Sequence, residues 1–258
     1  MIPARHIRAW SRVAPWLTEE QIEQDLVLSR LIVEIANHPM LGEELVFRGG
    51  TCLHKVVLPE PLRYSEDLDY VRASHGPIGP LLDAIREVAD RLDMDVNTDV
   101  GSYPKARLRA PFETGSGLMR VKIEINTYET SPARQHRRTA YGVESGWWSG
   151  TADVLTFQPE ELVATKLRAL FQRKKGRDLF DLWLALTVLG LDPTGIVACF
   201  DPYRPDGYSA ERARQGLAEH LDDPSFRSDL PPLLSEVPEG YDVDAAGAIV
   251  ADRLLAIV

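Results

Sequence analysis

Two carboxylates stand one residue apart in "RYSEDLDY" at residues 63–70, directly after a serine. In an extended segment side chains alternate, so Asp67 and Asp69 share one face, and Ser65 shares it with them. Like charges on one face repel. A divalent cation that prefers oxygen ligands, Mg²⁺ first among them, offsets that repulsion. Without it, one carboxyl tends to keep its proton. Just upstream, "FRGGT" sets Gly49 and Gly50 between an apolar run and a short helical stretch. Glycines let backbone N–H groups approach phosphate oxygens where a helix begins. A third carboxylate on a neighbouring strand, Glu124, would complete a two-metal site for in-line phosphoryl or nucleotidyl transfer.

Those residues need strands and helices to hold them. "EELVFRGG" reads as a short strand ending in glycines, "TCLHKVVL" as a short helix, and "EDLDYVRA" as a second strand. "LTEEQIEQDLVLSRLIVEIANHP" predicts a helix that opens on a capping box, Thr18 with Gln21, and stops before Pro39. "GPIGPLLDAIREVADRLD" predicts an amphipathic helix. "PKARLRAPFE" and "GLMRVKIEINTYE" flank "TGSG" as two arms of a hairpin. In the second arm Met119, Val121, Ile123 and Ile125 alternate with Lys122, Glu124 and Asn126, one buried face against one wet face. Beyond about residue 155 the pattern turns helical, with Pro159 at a first helical position and Gly190 as a C-cap. The expectation is an α/β (α+β) part over 1–155 and a helical part over 156–258.

The chain has 258 residues and a net charge of −10 at pH 7, which argues against a general nucleic-acid coat protein. Basic residues nevertheless cluster in "PKARLRA", in "RQHRR" (134–138) and in "RALFQRKKGR" (168–177), beside the candidate chemistry. Cys52 and Cys199 fit no metal-ligand spacing and read as buried thiols in a reducing cytosol. No apolar run reaches membrane-spanning length, and the N-terminus lacks the apolar core of a secretory signal, so a cytoplasmic location is expected.

"GGTCLHKVVLPEPLRYSEDLDY" and "ELVATKLRALFQRKKGRDLFDLW" together resemble the two signature blocks of the AbiEii-type nucleotidyltransferase toxins, which include the MenT group. The resemblance spans about residues 45–185. It implies a polymerase-β-like nucleotidyltransferase core with a mixed sheet. It also implies a toxin of a toxin–antitoxin system that uses an NTP with Mg²⁺ (Mn²⁺ as a substitute), and a cognate antitoxin. Some members add nucleotides to tRNA 3′ ends, so RNA, tRNA in particular, is the expected acceptor, with translation blocked as the result. On these blocks Gly49, Gly50 and Thr51 match the glycine pair and the small hydroxyl residue, and Ser65 the serine before the aspartates; with Lys166 and Asp181 they are the expected nucleotide-binding residues, Ser65 as a phosphate contact. Asp67 and Asp69 match the metal pair, Lys166 the helical lysine, and Asp178 and Asp181 the last block's aspartates. Two features depart from the pattern: sixteen residues lie between Gly50 and Asp67, and the third carboxylate is Glu124 instead of an aspartate.

Taken on their own terms these residues leave alternatives. Lys166 sits in an apolar stripe, so it either snorkels to water or meets a buried anion, and triphosphate is the functional partner. Asp178 and Asp181 share a helix face. They serve as helix-start carboxylates, orient Lys166 or the nucleotide, or act as a base, Asp178 being the first choice. Arg48 and Arg63 suit phosphate or neighbouring acids equally. His54, His136 and the pair Trp147–Trp148 read as ordinary packing residues. The competing functions are transfer to a protein or small molecule, and a non-catalytic NTP-binding regulatory module.

Overall fold

The computed structural model describes residues 2–258; residue 1, where the expected N-terminal part begins, lies outside them. The chain forms two compact units, Met1–Thr130 with His136–Phe157, and Ser131–Gln135 with Gln158–Val258.

The first unit carries α1 (Ala4–Trp10), α2 (Glu19–Asn37), α3 (Leu41–Glu44), β1 (Leu45–Arg48) and α4 (Gly49–Cys52). α4 runs on into a π-helical turn, Leu53–Val57, and is followed by β2 (Asp67–Arg72) and α5 (Gly79–Asp90). β3 (Asp95–Asp99), β4 (Lys105–Pro111), β5 (Leu118–Asn126), β6 (Arg137–Glu144) and β7 (Ser149–Thr156) complete it. The seven strands make one mixed sheet in the order β3-β4-β5-β2-β1-β7-β6. β1 pairs antiparallel with β2 and parallel with β7, and β2 pairs parallel with β5. The expected hairpin is the antiparallel β4–β5 pair, Lys105↔Glu124 to Pro111↔Leu118.

α2 begins with the expected capping box. The Gln21 amide donates to Thr18 Oγ1, and the Thr18 amide donates to Gln21 Oε1. It buries Ile22, Leu26, Leu28, Leu31, Ile32 and Ile35. It also buries Asp25, a charge that must be paired inside. Trp10 and Trp16 donate their indole N–H groups to its two oxygens at 2.9 and 2.8 Å, and Lys55 Nζ lies 2.8 Å from Oδ2. Burial works against the charge on Lys55, yet Asp25 holds its pKa above the ordinary lysine value. Since Lys55 lies on the π turn, this pair ties the helix after Gly49–Gly50 to the core of the unit.

One part of the alternation expected in β5 differs. Asn126 belongs to the polar set but is buried. Its Oδ1 accepts from the amides of Tyr128 and Glu129 at 2.9 and 3.0 Å, so the chain folds back over it. Cys52 and Cys199 are both buried thiols outside any disulfide among the described residues, as expected, and Cys52 Sγ lies 3.1 Å from Thr156 Oγ1. The Trp147–Trp148 pair lies under the Arg30 guanidinium, at 5.0 and 5.3 Å from the ring centres.

The second unit is helical: α6 (Pro159–Gln172), α7 (Gly176–Thr187), α8 (Pro193–Ala198), α9 (Ala210–Leu221), α10 (Pro224–Ser228) and α11 (Val243–Arg253). Asp192, Ser209, Asp223 and Asp242 accept from first-turn amides as N-caps of α8 to α11. Residues 131–135 belong here because Glu161 of α6, fully buried, accepts from the amides of Ala133 (2.6 Å) and Arg134 (3.0 Å) and from the Tyr203 hydroxyl (2.7 Å). No helix of the described residues is long and apolar enough to cross a membrane.

Candidate active site

β2 alternates as its sequence requires. Leu68 and Tyr70 are buried on one side, and Asp67 and Asp69 are half-buried on the other. The register supplies their neighbours. Arg48 of β1 stands opposite Asp69. On β5, Lys122 stands opposite Asp67 and Glu124 opposite Asp69. Lys122 Nζ lies 3.1 Å from Asp67 Oδ2 and 3.4 Å from Glu124 Oε2.

Burial pushes the Asp69 carboxyl above the usual carboxylate range. Asp67 and Glu124 add to the push, while Arg48 and Lys122 oppose it. Lys122 responds in the complementary sense. Burial works against its charge, but Asp67 and Glu124 together raise its pKa. Among the described residues no three acidic, His or Cys side chains converge closely enough to grip an ion as they stand. The donor set still fits a hard divalent cation: three carboxylates around one strand pair, all oxygen donors, already drawing the Lys122 ammonium between two of them.

The glycine pair is shaped by this site. Gly49 has φ +82°, and a Cβ there would lie 2.6 Å from Asp69 Oδ2. A Cβ on Gly50 would lie 2.1 Å from Nη2 of the buried Arg63. Thr51, also buried, donates its hydroxyl to the Asp67 carbonyl. That uses its one proton, so at the 2.7 Å Thr51–Ser65 contact Ser65 Oγ is the donor. The chain of hydroxyls fixes the start of β2 against α4. Gly49→Ala should therefore cost about 1–2 kcal/mol from the left-handed backbone alone. It should also displace the Asp69 carboxylate, so a melting temperature lowered by several degrees and a reduced transfer rate are expected together.

Arg48 is engaged by Glu129 at 2.5 Å, and Glu129 is itself held by Asn126 Nδ2 at 2.8 Å. His54 is buried, and its Nδ1 accepts from the amides of Leu62 (3.2 Å) and Arg63 (3.3 Å), pinning the loop that leads into β2.

In the second unit α6 and α7 bring Lys166, Asp178 and Asp181 together. Lys166 Nζ lies 2.7 Å from Asp181 Oδ2 and 3.4 Å from Asp178 Oδ1. Both carboxylates are fully buried, and the lysine side chain is 5% exposed, so its ammonium turns inward. Arg173 clamps Asp178 in a fork, Nε to Oδ2 at 2.7 Å and Nη2 to Oδ1 at 2.8 Å. Sequence reasoning assigned no role to Lys122, Glu129 or Arg173. Lys122 carried a signal, since it alternates on the same strand face as Glu124. Arg173 carried another, since it sits five residues before Asp178 in a basic run.

A mixed sheet that sets paired aspartates beside a glycine turn suits metal-assisted transfer of a phosphate-bearing group, and comparison with known proteins gives the class, nucleotidyltransferase, and the family. The family model "Nucleotidyl transferase AbiEii toxin, Type IV TA system" matches residues 30–249. The chain belongs to this family of nucleotidyltransferase toxins of toxin–antitoxin systems. JHP933 from Helicobacter pylori superposes with a TM-score of 0.56 at 17% identity, over 93% of this chain and 92% of that one. A proposed nucleotidyltransferase of the same organism gives 0.57 at 18% identity, over 93% and 95%. These two share the fold. The nucleotidyltransferase toxin MenT4 of Mycobacterium tuberculosis H37Rv aligns at 0.47 and 18% identity, over 96% and 97%. Among curated proteins none matches significantly.

Proposed function

We propose that this toxin transfers a nucleoside monophosphate from an NTP to an RNA acceptor, with tRNA 3′ ends the foremost candidate, and so blocks translation in the cytoplasm. The observation that carries the reading is the carboxylate face of β2 and β5, Asp67, Asp69 and Glu124, next to the positive-φ turn at Gly49. Asp67 and Asp69, with Glu124 as third donor, are the residues that would hold Mg²⁺. When bound, the ion supplies charge neutralisation on phosphate oxygens.

The remaining work falls to the chain. Gly49 and Gly50 let the backbone approach the triphosphate, and Thr51 and Ser65 hold that backbone against β2. The Lys166 charge suits the triphosphate, and Asp178 and Asp181 act as its positioning residues. The acceptor hydroxyl oxygen bonds to the α-phosphorus, and its proton is lost to solvent. The bond from the α-phosphorus to the bridging oxygen breaks, and pyrophosphate leaves with the electron pair. Positioning and charge stabilisation dominate the rate.

The test is incubation with α-labelled NTPs, Mg²⁺ and total RNA. Labelled RNA that depends on Asp69 is expected. Label appearing in a protein or a small molecule instead would transfer the reading to that acceptor, and tight NTP binding without turnover would make the protein a binding module. In cells, expression is expected to arrest growth, and Asp67→Ala or the cognate antitoxin to relieve it.

A further inference from the structure

The three basic runs differ in how their charge is used. In the 134–138 run, Arg134 pairs with Glu160 at 3.0 Å and Arg138 with Glu43 at 2.7 Å, and of its arginines Arg137 alone makes no ion pair among the described residues. In the 168–177 run, Arg173 pairs with Asp178, Lys174 with Asp223, and Lys175 and Arg177 with Asp229. The "PKARLRA" run behaves otherwise. Arg107 and Arg109 of β4, and Arg120 across the hairpin on β5, make no ion pair among the described residues, in a chain with ten surplus negative charges. Asp95 of β3 is in register with Arg109, and still no ion pair forms between them.

The register places these cations on the carboxylate face. Asp67, Lys122 and Arg107 stand in one cross-strand row, and Arg120 and Arg109 stand opposite each other in the next. Two like charges directly opposite on paired strands are destabilising. An anion between them removes that cost, as a cation does for Asp67 and Asp69. The same residues, with Glu66 and Asp67, line a depression of about 440 Å³. It begins at the carboxylates and runs away from them. Arg120 lies four positions from Glu124 along β5, about 14 Å at ~3.4 Å per residue, so the Arg107 row stands beside Asp67 and the Arg109–Arg120 row lies farther out along the strands.

We propose that Arg107, Arg109 and Arg120 form a track for the phosphodiester backbone of the acceptor RNA, leading its reactive end to Asp67 and Asp69. This rests on the transferase reading above and adds the surface that receives the acceptor. Arginines contact phosphate through paired N–H donors and require no particular base, so the track fixes position and register while leaving sequence choice to other contacts.

Arg109 and Arg120 are exposed, so Arg109→Gln/Arg120→Gln should fold normally; Arg107→Gln serves as a second variant. Binding of a short fluorescein-labelled single-stranded oligoribonucleotide is followed by anisotropy from about 50 to 200 mM salt. The double variant should lose about tenfold in affinity near 100 mM salt. Its slope of log K against log salt should be shallower by about 1.4, ~0.7 for each phosphate contact removed from a single strand. Affinity for a fluorescent NTP analogue should stay at the wild-type value. Unchanged RNA affinity and slope, or a loss confined to the NTP analogue, overturns the track. If RNA is still labelled in that case, the transferase reading survives alone. If wild-type protein binds RNA with the arginine-dependent slope yet labels none, the track stands and the acceptor assignment falls.

Discussion

Replacing Asp69 by Asn is expected to abolish nucleotide transfer and, in metal-free buffer, to raise the melting temperature. The two effects have one origin. Asp69 is half-buried beside Asp67 and Glu124, and burial drives its carboxyl toward the protonated form. A raised folded-state pKa means that the stabilisation from the neutral form is complete below the ordinary carboxylate value of about 3.9. It is lost as pH rises through the folded value, so above that value the ionised group opposes folding. Asn keeps the shape without the charge. For a chain of this size each kcal/mol relieved shifts the midpoint by about 2–4 °C. The same change removes an oxygen anion from the site proposed for the cation, whose charge stabilisation is on the order of several kcal/mol, or about three powers of ten in rate. Mg²⁺ should raise the melting temperature of the wild type and leave that of the variant unmoved. A variant that melts lower than wild type without metal, or that still transfers at near wild-type rate, contradicts this account.

Lys166→Met should lower stability by about 3–5 kcal/mol, the usual consequence of removing one partner from a buried ion pair. Lys166 is 5% exposed, and it faces two carboxylates with no exposure at all. Arg173 still holds both oxygens of Asp178 after the change, whereas Asp181 loses the ammonium 2.7 Å from its Oδ2. Lys166→Met/Asp181→Asn removes both charges and should recover most of the stability, as buried pairs replaced together often do. That double variant separates structure from function. If it is stable but binds NTP weakly, the ammonium serves the triphosphate. If it is stable and binds NTP as the wild type does, Lys166 is a structural pin of the helical unit. Loss of toxicity in the single variant decides neither, because an unstable protein is also inactive.

Several elements were legible before any coordinates because their signals are local. The capping box at Thr18, Pro159 at the start of α6, the period-two alternation of β5 and the glycine pair each lie within a few residues of sequence. Three strands were not legible. β3 and β6 carry mixed, largely exposed faces, as in "DVNTD" and "RRTAYGVE", with too few apolar positions to show a period of two, and β7 buries only Ala152, Val154 and Thr156. They are strands because their edges pair with neighbours, and pairing partners are not written in a strand's own residues.

By itself the sequence determined which chemistry is available: two aspartates on one strand face, a glycine turn beside them, and lysine and aspartates on helical faces. Only the tertiary structure decided what those groups meet. The parallel β2–β5 register puts Lys122 and Glu124 against Asp67 and Asp69, although the paired residues lie 55 positions apart in the chain. The antiparallel β4–β5 register sets Arg109 against Arg120 with no acid between them. The α6–α7 pair turns Lys166 inward and closes Asp178 under Arg173. Period and propensity are properties of neighbouring residues. Charge pairing depends on distance through space, which strand register and helix packing set.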